Sequence, residues 1–257
     1  MTRKNMDRTD KVLYDINLQE MKGLEIGSLW RPIVSKEMSP QILYLDYLST
    51  EELKKKFENE PWKNKIVEVD YVIREGQSLN QVLEKDMPFD YIIASHVIEH
   101  VPNPISWFNE LYNLLKPGGI LSLIIPDKRF CFDYLRQLSS VAELIDAYLM
   151  NRDKPSPKAV FDYYRNAVSY QGGITWGEQI NQDDLVHLYA DNQALEMAKR
   201  ASKGEYLDVH SWCFTSDTFL PIMDELKNLN LFRFQINSYY PQWGCEFYVG
   251  LKKIGND

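Results

Sequence analysis

Short apolar runs alternate with helical patterns along the first half of the chain. Five runs are rich in Leu, Ile and Val, which is typical of strands buried on both faces of a parallel sheet. They lie at 24–26, 42–45, 66–73, 91–94 and 120–125. Strands that alternate with helices predict a doubly wound α/β fold with a mostly parallel sheet.

One helix between these strands has clear start and stop signals. Asn103 is a suitable N-cap and Pro104 suits the first turn, while Lys-Pro-Gly-Gly at 116–119 ends the pattern. Between them, apolar residues recur at a spacing of three to four, at Trp107, Phe108, Leu111, Leu114 and Leu115. This spacing predicts one buried helical face.

The last 45 or so residues follow a different pattern. Thr215 begins a predicted helix, and after it apolar residues alternate at 232–236 and again at 245–251. Tyr-Pro-Gln-Trp-Gly at 240–244 separates the two alternating runs. This arrangement predicts an antiparallel β-hairpin at the end of the sheet.

The segment 130–209 lies between the fifth strand and this last helix. Its roughly 80 residues far exceed an ordinary connection of about 2–6 residues, and it carries helical apolar stripes at 141–149 and 160–168. We therefore predict two parts: a main domain at 1–129 and 210–257, and a helical insertion at 130–209. An insertion at this edge of the sheet is expected to act as a lid and to form much of the acceptor pocket.

Four segments of the sequence fall in a characteristic order. They are GLEIGS at 23–28, ILYLDY at 42–47, FDYIIASHVIEHVPNP at 89–104 and LLKPGGILSLIIPDKR at 114–129. Each is an apolar strand followed by glycine or a polar residue, and ligands of parallel sheets bind at this edge. Over residues 20 to 130 the chain resembles the class I S-adenosylmethionine (SAM)-dependent methyltransferases. The resemblance implies a seven-stranded sheet with an antiparallel C-terminal pair, SAM as cofactor and a methyl acceptor as substrate.

The resemblance assigns cofactor contacts to the first two strand ends. Glu25 would hold the amino group of SAM, Gly27 would allow close approach of the backbone, and Asp46 would accept both ribose hydroxyls. The family usually has further glycines where this chain has Leu29 and Arg31, so a plain strand and turn is the alternative for the first loop. A helix-capping acid is the alternative for Asp46.

Further cofactor contacts are predicted along the same edge. Tyr47 would pack on the adenine ring. Glu75 and Gly76 match the family's loop after the third strand, where an acid meets the adenine amino group, although a solvated loop acid is an alternative. Ser95 and His96 leave the fourth strand beneath the expected methyl position.

Three residues are candidate bases for an acceptor hydroxyl: His96, Asp127 and His210. Lys128 and Arg129 follow Asp127 and are candidates to bind an anionic or hydroxylated acceptor. The alternatives are a salt-bridge cluster at 127–129 and a packed histidine at His210.

A metal ion is not predicted. His96, Glu99 and His100 have helical spacing, and some relatives bind a divalent ion through the pattern E-x-x-E-H. His96 stands in the place of the first acid, so the site looks incomplete, and His100 is interpreted as a structural histidine.

Composition narrows the class of function. A net charge of −8 disfavours a binder of nucleic-acid backbones. No apolar run is long enough for a membrane span, the N-terminus lacks the apolar segment of a secretory signal, and three scattered cysteines suit a reducing compartment, so we expect a cytoplasmic protein.

The resemblance thus implies a SAM-dependent methyltransferase acting on a small-molecule or glycan acceptor, with a hydroxyl oxygen as the expected site of methylation. The segments 125–136 and 210–219 resemble methyltransferases encoded with surface-polysaccharide enzymes. Two alternatives remain: a non-catalytic methyltransferase-like binding protein, and a nucleotide- or NAD-binding oxidoreductase, against which the missing GxGxxG counts.

Overall fold

Seven strands form one sheet in the computed structural model, which describes residues 6–255. The order across the sheet is β3-β2-β1-β4-β5-β9-β8, with β1 to β5 parallel and β9 antiparallel to both β5 and β8. The strands are β1 (Gly23–Ile26), β2 (Ile42–Asp46), β3 (Tyr71–Val72), β4 (Phe89–Ser95), β5 (Leu115–Pro126), β8 (Gln235–Trp243) and β9 (Glu246–Lys252). The predicted α/β fold with a C-terminal antiparallel hairpin is confirmed.

The third strand is much shorter than the sequence pattern predicts. The apolar run at 66–73 forms ladder pairs only at Tyr71 and Val72, and a short 3₁₀ turn at Lys63–Lys65 precedes it. Asp70 explains part of the difference, because its carboxylate accepts the N–H of Tyr44 at 2.8 Å in place of a strand partner.

Helices cover both faces of the sheet. They are α1 (Arg8–Val12), α2 (Thr50–Lys56), α3 (Leu79–Leu83), α4 (Pro104–Leu114), α5 (Val141–Leu149), α6 (Pro157–Asn166), α7 (Asp191–Ser202) and α8 (Ser216–Asn228). The predicted cap of α4 is present, since the Asn103 side chain accepts the N–H of Ser106 at 3.1 Å. No helix in the described part of the chain is long and apolar enough to cross a membrane.

The central strands are buried on both sides. Leu24, Ile92 and Leu121 belong to one apolar cluster, whereas Ile93 and Ile124 belong to the other. Gly23 pairs with Tyr91, and a Cβ on Gly23 would lie 2.1 Å from the Tyr91 ring. Only glycine therefore permits this close approach of β1 to β4.

The terminal hairpin turns later than the sequence pattern predicts. The strand β8 continues through Pro241 to Trp243, and the turn falls at Gly244, which has a φ of 63°. Proline is tolerated here because β8 is an edge strand and its register shifts between Tyr240 and Trp243.

The segment 130–209 contains three helices and a two-stranded antiparallel sheet of β6 (Val168–Tyr170) and β7 (Leu185–His187). Helix α5 packs on α4 and α8, and its Leu144 and Ala147 are part of the main apolar cluster. Helices α6 and α7 pack mainly on each other. The inner helix of the segment thus shares the core of the sheet, and the outer pair does not.

Candidate active site

A cleft of about 600 Å³ opens at the C-terminal ends of β1 and β4. Its lining comes from four parts of the chain: Arg8 of α1, the end of β1 with the loop after it, the residues at the end of β4, and the β8–β9 turn. They are Arg8, Glu25, Gly27, Ser28, Leu29, Trp30, Arg31, Ser95, His96, Trp243, Gly244, Cys245 and Glu246. The predicted residues Glu25, Gly27, Ser95 and His96 are therefore brought together.

The loop after β1 is shaped by Glu25. This buried side chain accepts the backbone N–H groups of Ile33 at 2.8 Å and of Val34 at 3.0 Å. Burial raises the pKa of Glu25 to about 7, against the lowering effect of the two amides. Each oxygen accepts one amide of the loop and keeps a second lone pair, with which it would accept an amino group of the cofactor.

Gly27 lies at the sharp bend of the same loop, with a φ of 70°. A Cβ at this position would lie 3.2 Å from Cγ2 of Val97. The bend and the lack of a side chain keep the floor of the cleft open.

Asp46 ends β2 beside this cleft. It is 6% exposed, and the hydrogen-bond donors that the described structure offers to its side-chain oxygens are backbone N–H groups, of Leu48 at 3.3 Å and of Tyr47. Burial raises the pKa of Asp46 to about 6. A buried carboxylate with so few donors is suited to a ligand that supplies hydroxyl groups.

Tyr47 and Glu75 extend from neighbouring strand ends and have partners elsewhere. The Tyr47 hydroxyl is hydrogen-bonded to Lys56, which also pairs with Asp208 at 2.9 Å. Glu75 is largely exposed and pairs with Lys154 at 2.8 Å, and Gly76 beside it has a φ of 81°.

His96 lies where β4 meets the cleft. Its backbone N–H donates to the carbonyl of Ile124 at 2.9 Å, and its φ is 53°, a conformation that non-glycine residues adopt rarely and mostly at functional sites. The ring contacts two carboxylates: Nε2 is 2.8 Å from Glu246 and Nδ1 is 3.6 Å from Glu99. The side chain is 37% exposed, so it is held firmly and still reachable from the cleft.

The charged groups of the loop 127–129 already have partners. Asp127 and Arg129 bind each other, and Lys128 binds nearby backbone. Asp127 is wholly buried and accepts from Arg129 Nη2 at 2.7 Å and from the N–H of Ser216 at 2.9 Å. The Lys128 ammonium donates to the carbonyl of Tyr134 at 2.7 Å. These contacts match the salt-bridge alternative for this loop and fix the start of α8.

His210 lies in a buried cluster behind His96. Its Nδ1 is 2.5 Å from Asp133, and its Nε2 is 3.9 Å from Glu99. Burial raises the pKa of Asp133, but His210 and Arg136 outweigh this effect and lower it to about 2. The ring of His100 packs edge-on against His210, with 4.7 Å between centroids, and its Nδ1 is 2.9 Å from Asp208.

Aromatic side chains of the segment 130–209 pack on one another and on the backbone near the site. Tyr163 contacts Tyr164 and Tyr189, and Trp176 donates its indole N–H to the carbonyl of Arg129 at 3.0 Å. They close the space around His210 from the side of the insertion.

Sequence reasoning missed four charged residues of this region: Arg8, Asp133, Asp208 and Glu246. Arg8 pairs with Glu246 at 2.7 Å and reaches Ser95 Oγ at 3.3 Å. Glu246 falls between the apolar residues of the alternating run at 245–251, and the strand is buried on both sides. The one sequence signal for a buried Asp133 was its place among apolar residues, in Cys-Phe-Asp-Tyr.

The sheet order and the cleft define a class I methyltransferase fold, with an antiparallel pair appended to five parallel strands. The comparison with protein families agrees: a family model described as "Methyltransferase domain" (Methyltransf_23) matches residues 1–167. The chain belongs to this family, is a SAM-dependent methyltransferase domain and uses SAM as its cofactor. No curated protein matches the chain.

Solved structures with the same fold are distant in sequence. A putative Zn-dependent alcohol dehydrogenase from Rhodobacter sphaeroides has a TM-score of 0.52 and 11% identity, covering 97% of this chain and 91% of that one. A putative SAM-dependent methyltransferase from Listeria monocytogenes has a TM-score of 0.46 and 15% identity, with 96% of each chain covered. A SAM-dependent methyltransferase from Aquifex aeolicus has a TM-score of 0.44 and 14% identity, covering 96% of this chain and 90% of that one. At 11% identity the first of these structures supports the fold alone, the other two carry no argument, and the polysaccharide association stays a prediction.

Proposed function

We propose that this chain transfers the methyl group of SAM to a hydroxyl of a small or carbohydrate-like acceptor. The observation that carries the proposal is the position of His96. Of the three candidate bases, it is the one that lines the cleft, and Glu246 and Glu99 fix its ring there. Asp127 is fully buried in its bonds to Arg129 and Ser216, and His210 is buried against Asp133.

The cofactor is proposed to lie across the ends of β1, β2 and β4. Gly27 would face its methionine part, Asp46 its ribose hydroxyls, and Tyr47 with the Glu75–Gly76 loop its adenine. Two observations support this direction: the open bend at Gly27, and the buried Asp46 carboxylate whose donors are backbone N–H groups alone in the described structure.

Transfer would be an in-line displacement at the sulfonium carbon. The acceptor oxygen forms the new bond to the methyl group, the carbon–sulfur bond breaks, and S-adenosylhomocysteine leaves with the electron pair. The hydroxyl proton passes to His96, and positioning of donor and acceptor supplies much of the remaining acceleration.

The acceptor class is supported by the aromatic lining of the cleft. Trp30 and Trp243 both line it, and Trp30 stacks on Trp62 with 5.4 Å between centroids and 17° between planes. Flat aromatic surfaces bind the apolar faces of sugar rings, and Arg31 beside Trp30 adds a positive charge for an anionic acceptor. We propose that Lys128 and Arg129 help to shape the acceptor side of the cleft, because their charged groups are already bonded to other residues.

The experiment is single-turnover transfer from methyl-labelled SAM to a panel of monosaccharides and nucleotide-linked sugars. His96→Ala should lower the rate about 10²–10⁴-fold with little change in SAM affinity. His187→Ala, on the exposed strand β7, is the matched control and should leave the rate unchanged. A His96 variant that keeps more than a tenth of the rate would remove the base from the proposal.

Two further parts of the proposal concern the segment 130–209 and the compartment. The outer helices α6 and α7 are proposed to form the movable part of a lid, because they pack mainly on each other. A reducing, cytoplasmic setting is proposed because Cys131, Cys213 and Cys245 are all free thiols.

A further inference from the structure

The buried cluster behind His96 contains a carboxylate without a hydrogen-bond partner among the described residues. Glu99 is 0% exposed, and neither of its side-chain oxygens has a hydrogen-bond partner in the described structure. Buried carboxylates are almost always paired, hydrogen-bonded or bound to a metal. This one faces two imidazoles, of His100 and His210, whose ligand atoms and its own all lie within 4.8 Å of one another.

The two histidines are oriented as metal ligands are. In each ring Nδ1 is bonded to a carboxylate, Asp208 for His100 and Asp133 for His210, which leaves Nε2 as the remaining nitrogen. A carboxylate on the far nitrogen fixes the ring and its tautomer and makes the near nitrogen a better ligand. Both supporting acids are themselves anchored, Asp133 by Arg136 at 2.7 Å and Asp208 by Lys56 at 2.9 Å.

The backbone holds the third ligand in place. The carbonyl of Glu99 accepts the N–H groups of Ser211 at 2.6 Å and of Trp212 at 3.2 Å. These bonds bring the returning chain, and with it His210, next to the short 3₁₀ turn Ile98–His100. The pairing explains why the pattern in residues 96–100 alone looked incomplete: the additional ligand comes from a distant part of the chain.

We propose that Glu99, His100 and His210 bind one divalent transition-metal ion. Two imidazoles and one carboxylate form a ligand set that suits zinc, cobalt, manganese or iron better than magnesium, which prefers oxygen ligands. Metal bonds of about 2.0–2.2 Å place neighbouring ligand atoms roughly 3.0–3.5 Å apart. The present 3.9 Å between Glu99 and His210 is close to that spacing, and ligand atoms as far apart as 4.8 Å must close by roughly 1.3–1.8 Å.

The site has a route to solvent and to the cleft. His100 has a side chain that is 36% exposed, and His96, 3.6 Å from Glu99, lines the cleft itself. Three protein ligands leave coordination positions open for water or for an oxygen of the acceptor, and a metal-bound hydroxyl loses its proton more readily. A role of the ion in deprotonating the acceptor hydroxyl rests on the proposed methyl transfer, whereas binding of the ion does not.

The test is a titration of the metal-free, tag-free protein with Co²⁺, followed by visible absorption, with Zn²⁺ calorimetry in parallel. We expect one ion per chain, bound at least roughly tenfold more tightly than Mg²⁺. Glu99→Gln and His100→Ala should abolish the cobalt spectrum, and Asp133→Asn should weaken binding about 10–100-fold. His187→Ala, a histidine outside the cluster, should bind as the unaltered protein does.

Circular dichroism and thermal melting establish that each variant is folded. If Glu99→Gln does not fold, His100→Ala decides, because its ring is partly exposed and its partner Asp208 keeps the ion pair with Lys56. Absence of Co²⁺ binding by the unaltered protein, or binding that is unchanged in these variants, overturns the site. SAM binding is measured separately, so the failure of the metal site and the failure of the proposed methyl transfer are distinguishable.

Discussion

Asp46→Asn is the substitution whose effect follows most directly from the structure. The Asp46 carboxylate is buried and bonded to two backbone N–H groups without a side-chain donor in the described structure, so hydroxyl groups of bound SAM would find free acceptor positions there. Replacement of one charged acceptor oxygen by an amide removes a hydrogen bond worth about 1.5–3 kcal/mol, which corresponds to a roughly 10- to 150-fold weaker Kd. Asn has nearly the same shape, so the fold is expected to persist.

The same residue predicts how SAM affinity depends on pH. Burial raises the pKa of Asp46 to about 6 in the free protein, and only the ionised form accepts both hydroxyls. Binding therefore expels a proton below pH 6, and affinity should be about tenfold lower at pH 5 than at pH 7.5. In Asp46→Asn this dependence should disappear, which also corrects for any titration of SAM itself.

Isothermal titration calorimetry at both pH values measures these quantities. Asp191→Asn is the matched control, because Asp191 is an exposed acid on α7 that pairs with Arg165. Equal SAM affinity in Asp46→Asn and the unaltered protein, or the same pH dependence in both, would refute the assignment of Asp46 to the ribose.

Two further predictions concern stability and are read out by urea unfolding. Burial would raise the pKa of Glu246, but hydrogen bonds from His96, Arg8 and Tyr248 lower it to about 2. The ionised Glu246 side chain therefore stabilises the fold above its unfolded pKa of about 4.5, and this stabilisation is lost as the pH falls towards 2. Glu246→Gln should therefore cost about 1–3 kcal/mol at pH 7, partly screened by the exposure of Arg8, and the difference should shrink at pH 3. The control Glu205→Gln, at an exposed acid, should change the stability little. A Glu246→Gln cost that is constant with pH would contradict this. Leu144→Ala on α5 should cost about 2–5 kcal/mol because Leu144 is fully buried in the main core, and Leu195→Ala on α7, 53% exposed, under about 0.5 kcal/mol; equal costs would show that α5 is not part of that core.

Local patterns were sufficient for the elements whose signals lie close together in sequence. Asn103, Pro104 and the apolar face predicted α4, and the ordered strand ends predicted the edge at which Gly27, Ser95 and His96 meet. The run at 66–73 was predicted as a longer strand, because its apolar pattern does not reveal that the Asp70 carboxylate accepts the N–H of Tyr44 on β2.

The buried cluster could not be predicted from sequence, because it depends on tertiary contacts. Glu99 and His210 meet only through the bonds from the Glu99 carbonyl to the returning chain. In the same way Glu246 reaches His96 from the last strand, and Arg8 reaches Glu246 from the first helix. No spacing rule connects residues so far apart, whereas the family resemblance supplied the class of reaction.

A crystal structure with S-adenosylhomocysteine bound tests the central claim most directly. We predict that the ribose hydroxyls lie within hydrogen-bond distance of Asp46, that the methionine part passes Gly27, and that the sulfur lies near the Ser95–His96 turn. Density for the cofactor in the 430 Å³ cavity between α5 and α6, or in the cleft with its ribose away from Asp46, would contradict the account.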